Sequence, residues 1–299
     1  MIYVVGHTAF DHICRVSSFP PPNGSATILD RRVYFGGGAA NIAVGISRLG
    51  EPCTLVSAVG GDFTGGEYDR WMKEAGVVQQ FFVVPEANTP TAFMFTDGRG
   101  DQMTFFEWGA SAVFARAEAP EVPFVHMATA DPDFNVRVAR KAGWASFDPG
   151  QDLHRYQENQ LRTILSCIDV LFANRHEVEG MCRIMNIGQE ELVAMVPMAV
   201  FTRGAEGSTL YSDSGEVSIP AVPVRMADPT GAGDAYRAGF LAAHCRGFEP
   251  LECCRLGTVM ASFVVEAAGC QTNLPRWADV AARYKRHFGA PVADPGRKC

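Results

Sequence analysis

From residue 124 onward, short apolar runs alternate with helix-like stretches, and this constrains the fold more than any other feature of the chain. The run 124–128 precedes a helix predicted over 134–141, 145–148 precedes one over 156–167, and 170–173 precedes 175–181. Further runs lie at 198–202, 207–212 and 217–220, and three helices then close the chain. In the first of these, Ala235, Ala238, Gly239 and Ala242 recur at i, i+3, i+4 and i+7, which makes one apolar face. Strand–helix alternation of this kind predicts an α/β fold with a mostly parallel central sheet and helices on both faces.

The first half is less regular. Residues 2–5 form a β-prone run that stops at Gly6, and the stretch from Asp11 past Pro20, Pro21 and Pro22 to 26–35 reads as a pair of strands outside the core. Gly36-Gly37-Gly38 breaks the chain before a helix over 41–48. Strands are predicted at 54–59, 81–84, 91–96 and 103–108, with a helix over 65–74. There is no internal repeat, low-complexity tract or linker, so the reading is one domain over 1–299 with a small β-sheet lid from about 12–35 and 91–107.

Composition removes several classes of function. With 47% hydrophobic and 20% charged residues the chain is built to pack rather than to stay disordered. No apolar run reaches the ~18 residues of a membrane helix. No basic segment precedes the first apolar run, so a cytoplasmic protein is expected. A formal charge of −7 without a long Lys/Arg cluster argues against nucleic acid. The closest cluster, Arg283-Tyr284-Lys285-Arg286-His287, reads as the solvated face of a last helix. The nine cysteines show no CxxC spacing and are expected as free thiols.

The chemistry is concentrated in two glycine clusters. Asp228-Pro229-Thr230-Gly231-Ala232-Gly233-Asp234 runs directly into a helix. Small residues let the backbone approach a ligand, and a helix start offers unpaired N–H groups, so the segment is suited to phosphate. Asp234 is the odd member, because a carboxylate repels phosphate; an acid there makes sense as a base for an attacking hydroxyl. Taken alone, it could equally sit in the first turn for the helix dipole. The second cluster, Gly36-Gly37-Gly38-Ala39-Ala40-Asn41, is a tight turn with Asn41 as N-cap or a floor for a hydroxylated ligand. Neither GxxxxGK[ST] nor GxGxxG occurs.

Together the clusters resemble the ribokinase-like (PfkB-type) family of carbohydrate and nucleoside kinases. The first family signature matches at Gly37-Gly38-Ala39-Ala40-Asn41, Ala43, Gly50 and Gly60, the second from Asp228 to Asp234 and on through Ala238-Gly239-Phe240-Leu241. The resemblance implies that Asp234 is the catalytic base and that Gly231, Ala232 and Gly233 form an anion hole for the transferred phosphoryl group. It implies that Asp11, Gly37, Gly38 and Asn41 hold sugar hydroxyls. Asn174 and Glu177 match its NxxE motif, Asn174 at ATP and Glu177 at Mg²⁺ through water, although the same spacing makes a helix capping box. Thr202, Gly204 and Gly207, with Arg203 a weaker candidate, resemble the turn bordering ATP, and Asn273 is placed there too. Asp228 and Thr230, with backbone near 269–273, resemble a monovalent-cation site that would take K⁺.

The family leaves the acceptor open. Phe106-Glu107-Trp108-Gly109-Ala110 and Phe147-Asp148-Pro149-Gly150-Gln151 look like segments of the archaeal and bacterial nucleoside (adenosine) kinase branch. The lid return carries Phe93, Phe95, Phe105 and Phe106, of which Phe93 and Phe106 are taken as a stacking wall for a base, with Gln151 beside it. Packing of the lid onto the body would use the same rings. A nucleoside kinase using ATP and Mg²⁺ is therefore expected, with a ribokinase- or fructokinase-type sugar kinase second and a non-enzymatic sensor third. The resemblance also leaves two assemblies open, a homodimer through the lid, as in some branches, or a monomer, as in others.

Overall fold

A computed structural model describes residues 1–289. The chain runs β1 (Ile2–Val5), β2 (Ala9–Val16), β3 (Ile28–Gly36), α1 (Gly38–Arg48), β4 (Cys53–Gly60), α2 (Glu67–Glu74), β5 (Val78–Val84), β6 (Thr91–Thr96) and β7 (Gln102–Glu107). It continues through β8 (Val122–Met127), α3 (Pro132–Ala139), β9 (Ala142–Phe147), α4 (Glu158–Leu165), β10 (Val170–Asn174), α5 (Arg175–Met185), α6 (Gln189–Ala194) and β11 (Met198–Thr202). A hairpin of β12 (Ser208–Ser212) and β13 (Gly215–Ile219) leads to α7 (Ala232–Cys245), α8 (Pro250–Val264) and α9 (Trp277–Phe288).

Nine strands form the main sheet in the order β13-β12-β11-β10-β9-β8-β1-β4-β5. All neighbours from β11 to β5 are parallel, and only the β12–β13 hairpin runs antiparallel at one end. The two-residue period of a strand divides the core. Val4, Leu55, Phe172 and Val200 face a cluster with α1, α7 and α8, while Val5, Val56, Leu171 and Ala199 face one with α3, α4 and α5. Both faces are covered, as the apolar runs required.

From β1 the chain works outward to β4 and β5, then returns to place β8 on the other side of β1. That reversal opens a crevice at the carboxyl ends of β1 and β8, the usual ligand position in open α/β sheets. Gly6 and His7 follow β1 there, and the His7 N–H donates to Thr129 O at 3.0 Å.

The segments outside the main sheet form a second, four-stranded sheet in the order β3-β2-β6-β7. Its central pair is parallel and its two hairpins antiparallel. Tyr34, Asp11, Ala92 and Phe106 form one cross-strand row, and Val33, His12, Phe93 and Phe105 the next. Adjacent rows project to opposite faces. Most predicted elements recur within a few residues, and β11 matches its predicted bounds. The helix predicted over 65–74 starts at Glu67, because Gly66 remains extended as its N-cap. The short helix α6 has no counterpart in the sequence reading.

Candidate active site

The segment before α7 folds on itself. Asp228 accepts the Thr230 N–H at Oδ1 (2.9 Å) and the Gly269 N–H at Oδ2 (3.3 Å), tying the turn to the loop after α8. Gly231, the N-cap, has φ 79°, and a Cβ there would lie 2.7 Å from Cys270 Cβ, so both conformation and space require glycine. The N–H of Ala232 donates to Pro229 O at 3.2 Å, so one of the three amides expected to face an anion closes this turn. Asp234 falls in the first turn of α7.

Around Asp234 the protein gathers carboxylates on one buried guanidinium. Arg237 Nη2 lies 2.8 Å from Asp148 Oδ1 and 3.9 Å from Glu177 Oε2, while Nη1 lies 3.8 Å from Asp234 Oδ1. Burial pushes the Asp148 carboxyl up to about 8, against the pull of Arg237. Burial also raises Asp234, which Arg237 and the Asn41 hydrogen bond pull back. Asp11, 7% exposed, is pushed up to about 7 by burial and by Asp234 and Asp228. Arg237 was not singled out from sequence. Its signal was there: an arginine three residues after Asp234, one turn on, inside an otherwise small and apolar helix face.

Asn41 Nδ2 donates to Asp234 Oδ2 at 2.8 Å, and Asn41 Oδ1 accepts from Gln271 Nε2 at 2.9 Å. Gly37 has φ 91°, and a Cβ on it would sit 2.5 Å from His7 O, so this turn needs glycine. A Cβ on Gly38 would point at Thr129 Oγ1 (3.2 Å) and Asp234 Oδ1 (3.7 Å), so this glycine lies beside Asp234. The Asp11 row, with Phe106, faces the same region. Phe106 packs its ring 5.0 Å from His7, which is itself held by Ser111 Oγ at 2.8 Å and Asp152 Oδ2 at 3.0 Å.

Three candidates are placed elsewhere. Phe93 lies in the row that projects to the opposite face from Asp11, its ring tilted at 42° to that of His12 with centroids 4.9 Å apart, because strand alternation separates it from Ala92. Gln151 is exposed and lines a cavity of about 490 Å³ with Asn174, His176, Glu177 and Arg183, beside α5 rather than over the crevice. The Asn273 side chain donates to Phe263 O at 2.6 Å and so caps the end of α8.

Asn174 and Glu177 form a reciprocal capping box: Glu177 N–H to Asn174 Oδ1 at 3.0 Å, Asn174 N–H to Glu177 Oε2 at 2.7 Å. The same Glu177 oxygen approaches Arg237, so the box also connects to the carboxylate cluster. Thr202 and Arg203 line a cavity of about 210 Å³ with Arg175, and Arg203 bonds Thr209. Gly204 opens a short 3₁₀ turn that Gly207 closes. Among the described residues, no group of three or more His, Cys, Asp or Glu is arranged as a metal cage. No helix among the described residues is long and apolar enough to cross a membrane. Among the described residues, seven cysteines are free thiols, as expected from their spacing; Cys299 lies outside the described residues.

The pfkB family carbohydrate kinase model matches residues 1–277. A nucleoside kinase of Methanothermobacter thermautotrophicus is 44% identical over 299 residues, covering 96% of this chain and 96% of the relative. The crystal structure of the Methanocaldococcus jannaschii nucleoside kinase, an archaeal member of the ribokinase family, superposes with a TM-score of 0.91 at 42% identity, covering 96% of this chain and 98% of that one. A Burkholderia thailandensis nucleoside kinase in complex with ADP-inosine gives 0.85 at 26% identity, covering 100% and 99%.

Proposed function

The chain belongs to the pfkB family of carbohydrate kinases and is an ATP-dependent kinase, and from that premise we propose that its acceptor is the 5′-hydroxyl of a nucleoside. The observation that carries the proposal is Asp234: a half-buried carboxylate in the first turn of α7, held by Asn41 and facing the side-chain-free floor at Gly38. A hydroxyl resting on that floor lies within reach of the carboxylate. Asp234 takes its proton as the oxygen attacks the γ-phosphorus in line, and the start of α7 stabilises charge on the transferring group. The raised Asp234 carboxyl suits a base that must be both ionised and proton-accepting near neutrality. The acceptor class is supported by relatives named nucleoside kinase at 42% and 44% identity.

Glu177, whose Oε2 lies 3.9 Å from Arg237 at the edge of the carboxylate cluster, offers the hard oxygen that fits Mg²⁺. Mg²⁺ keeps most of its waters and takes few protein ligands, so Glu177 would hold it through water. Bound there with ATP, it would neutralise the phosphates. Asp228, oriented by two backbone N–H groups, would serve a K⁺ ion beside the same loop. The small sheet would act as a lid over the acceptor, with Asp11 and Phe106 on its inner face.

The outer face of that sheet exposes Val33, Met103 and Phe105, and we assign it to a second copy of the chain. The seven free thiols of the described residues support a reducing, cytoplasmic compartment. The central test is ADP release from Mg-ATP in the presence of adenosine, inosine, guanosine, cytidine, ribose or fructose. Stimulation by one or more nucleosides is expected; stimulation by ribose or fructose alone would overturn the acceptor assignment.

A further inference from the structure

A line of hydrogen-bonded side chains, half-buried at Trp71 and buried at Gln271, Tyr68 and Asn41, reaches Asp234 from the far side of α1. Trp71 Nε1 donates to Gln271 Oε1 at 2.8 Å. Gln271 Nε2 donates to Asn41 Oδ1 at 2.9 Å and to Tyr68 Oη at 2.7 Å. Tyr68 passes its own proton to Gly36 O at 2.7 Å, where β3 ends, and its ring lies 4.3 Å from that of Phe35, nearly parallel at 6°. Asn41 then donates to Asp234. Asn41 is 5% exposed, Gln271 7% and Tyr68 1%.

The direction of every bond in this line is dictated by its ends. An indole N–H can only donate, and an ionised carboxylate can only accept. The Gln271 atom facing Trp71 must therefore be its oxygen, which turns its amino group toward Asn41 and Tyr68. The Asn41 atom facing Gln271 must then be oxygen, which leaves the Asn41 amino group toward Asp234. An amide by itself has no such preference, since its two ends are nearly equal in shape. We infer that Trp71 and Gln271 are positioning residues, which hold the Asn41 amide so that its N–H, and not its oxygen, faces Asp234. The opposite orientation would set an amide oxygen against the carboxylate and penalise its ionised form. The inference rests on the reading of Asp234 as the base. It adds a residue of α2 and one of the loop after α8, neither of which touches the reacting atoms.

Other groups also act on Asp234: Arg237 from its own helix, Glu177 from α5, Asp148 after β9, Asp11 from β2, Cys270 from the loop after α8 and Tyr68 from α2. The test must leave these in place. Trp71→Phe keeps an aromatic ring and deletes one N–H, and Gln271→Glu keeps the shape while replacing a donor by an acceptor. Both are compared with wild type by kcat and KM across pH, by thermal melting, and by ¹³C titration of the Asp234 carboxyl in ligand-free protein.

The expected result for Trp71→Phe is an acid limb displaced upward by about one pH unit, so that kcat falls about tenfold on the acid side of that limb while KM stays within about twofold. Gln271→Glu should lose more, about a hundredfold, because it turns the Asn41 amide rather than freeing it. The Asp234 titration should move upward in both. A melting temperature lowered with the acid limb and the Asp234 titration unmoved would show a merely structural role and overturn the inference. If the wild type phosphorylates nothing in the screen, the kinase acceptor reading fails; an upward Asp234 titration in the variants would still support the relay, and an unmoved one would end it.

Discussion

Replacing Arg237 by methionine removes the one guanidinium shared by three carboxyls while keeping a side chain that packs. The direct pair with Asp148 at 2.8 Å dominates, since the contacts to Asp234 and Glu177 are 3.8 and 3.9 Å. Breaking a buried pair from one side costs about 3–5 kcal/mol, because the remaining charge stays buried. Protonation limits that loss. Asp148 is already raised to about 8 by burial, so without Arg237 it takes up a proton at still higher pH. At pH 9 the wild-type pair is ionised and the larger loss is expected, held below the full ~3–5 kcal/mol because the variant's Asp148 is protonated. At pH 5 Asp148 is neutral in both proteins, and the difference should fall to about half or less. Urea unfolding of both proteins at the two pH values measures this directly. An equal loss at pH 5 and pH 9 would refute the electrostatic reasoning and leave Arg237 as packing alone. In the activity assay, the same variant should raise the acid limb of kcat, since the attraction that pulls Asp234 down is gone.

Asp234→Asn should lower kcat by about 10²–10⁴-fold, the range of general-base catalysis, while nucleoside binding measured by calorimetry persists; near-normal turnover removes Asp234 from the mechanism. Asp11 has its folded carboxyl raised from 3.8 to about 7, so its contribution to stability is complete below pH 4 and is lost as the pH rises through 7. The melting temperature of the ligand-free protein should accordingly fall between pH 5 and pH 8, and Asp11→Asn should flatten that slope. Replacing K⁺ by a large, non-coordinating cation should reduce turnover if Asp228 serves a monovalent ion; unchanged rates dismiss the site. Phe105→Lys should shift the mass measured by light scattering toward the monomer with kcat per chain retained, whereas a monomeric wild type rejects the paired lid.

Local periodicity carried most of the fold. The apolar runs of β10 and β11, buried on both sides, announced central strands because a parallel sheet has no wet face. The small-residue face of α7 and the glycines before it were equally plain, since tight turns and close approach depend on the residues at that position. The candidate base could be named for the same reason: an acid at a helix start built for anions is chemically conspicuous. The capping box of Asn174 and Glu177 was legible as a local motif, and so was the catalytic alternative. Their joint connection to Arg237 was not.

Partnership over distance was decided only by the tertiary structure. Phe93 and Phe106 look alike as lid aromatics, yet the register of β6 and β7 against β2 sends them to opposite faces. Gln151 follows a conspicuous Asp-Pro-Gly turn, but the turn directs it to a cavity along α5. Trp71, Gln271 and Asn41 meet because α1, α2 and the loop after α8 pack together, and nothing in the spacing of those residues encodes the contact. The sequence by itself determined which segments become strands, helices and anion-binding turns, because those depend on neighbours a few residues away. Only the folded chain decided which side chains share Asp234, because register and helix packing are settled by burial summed over the whole molecule.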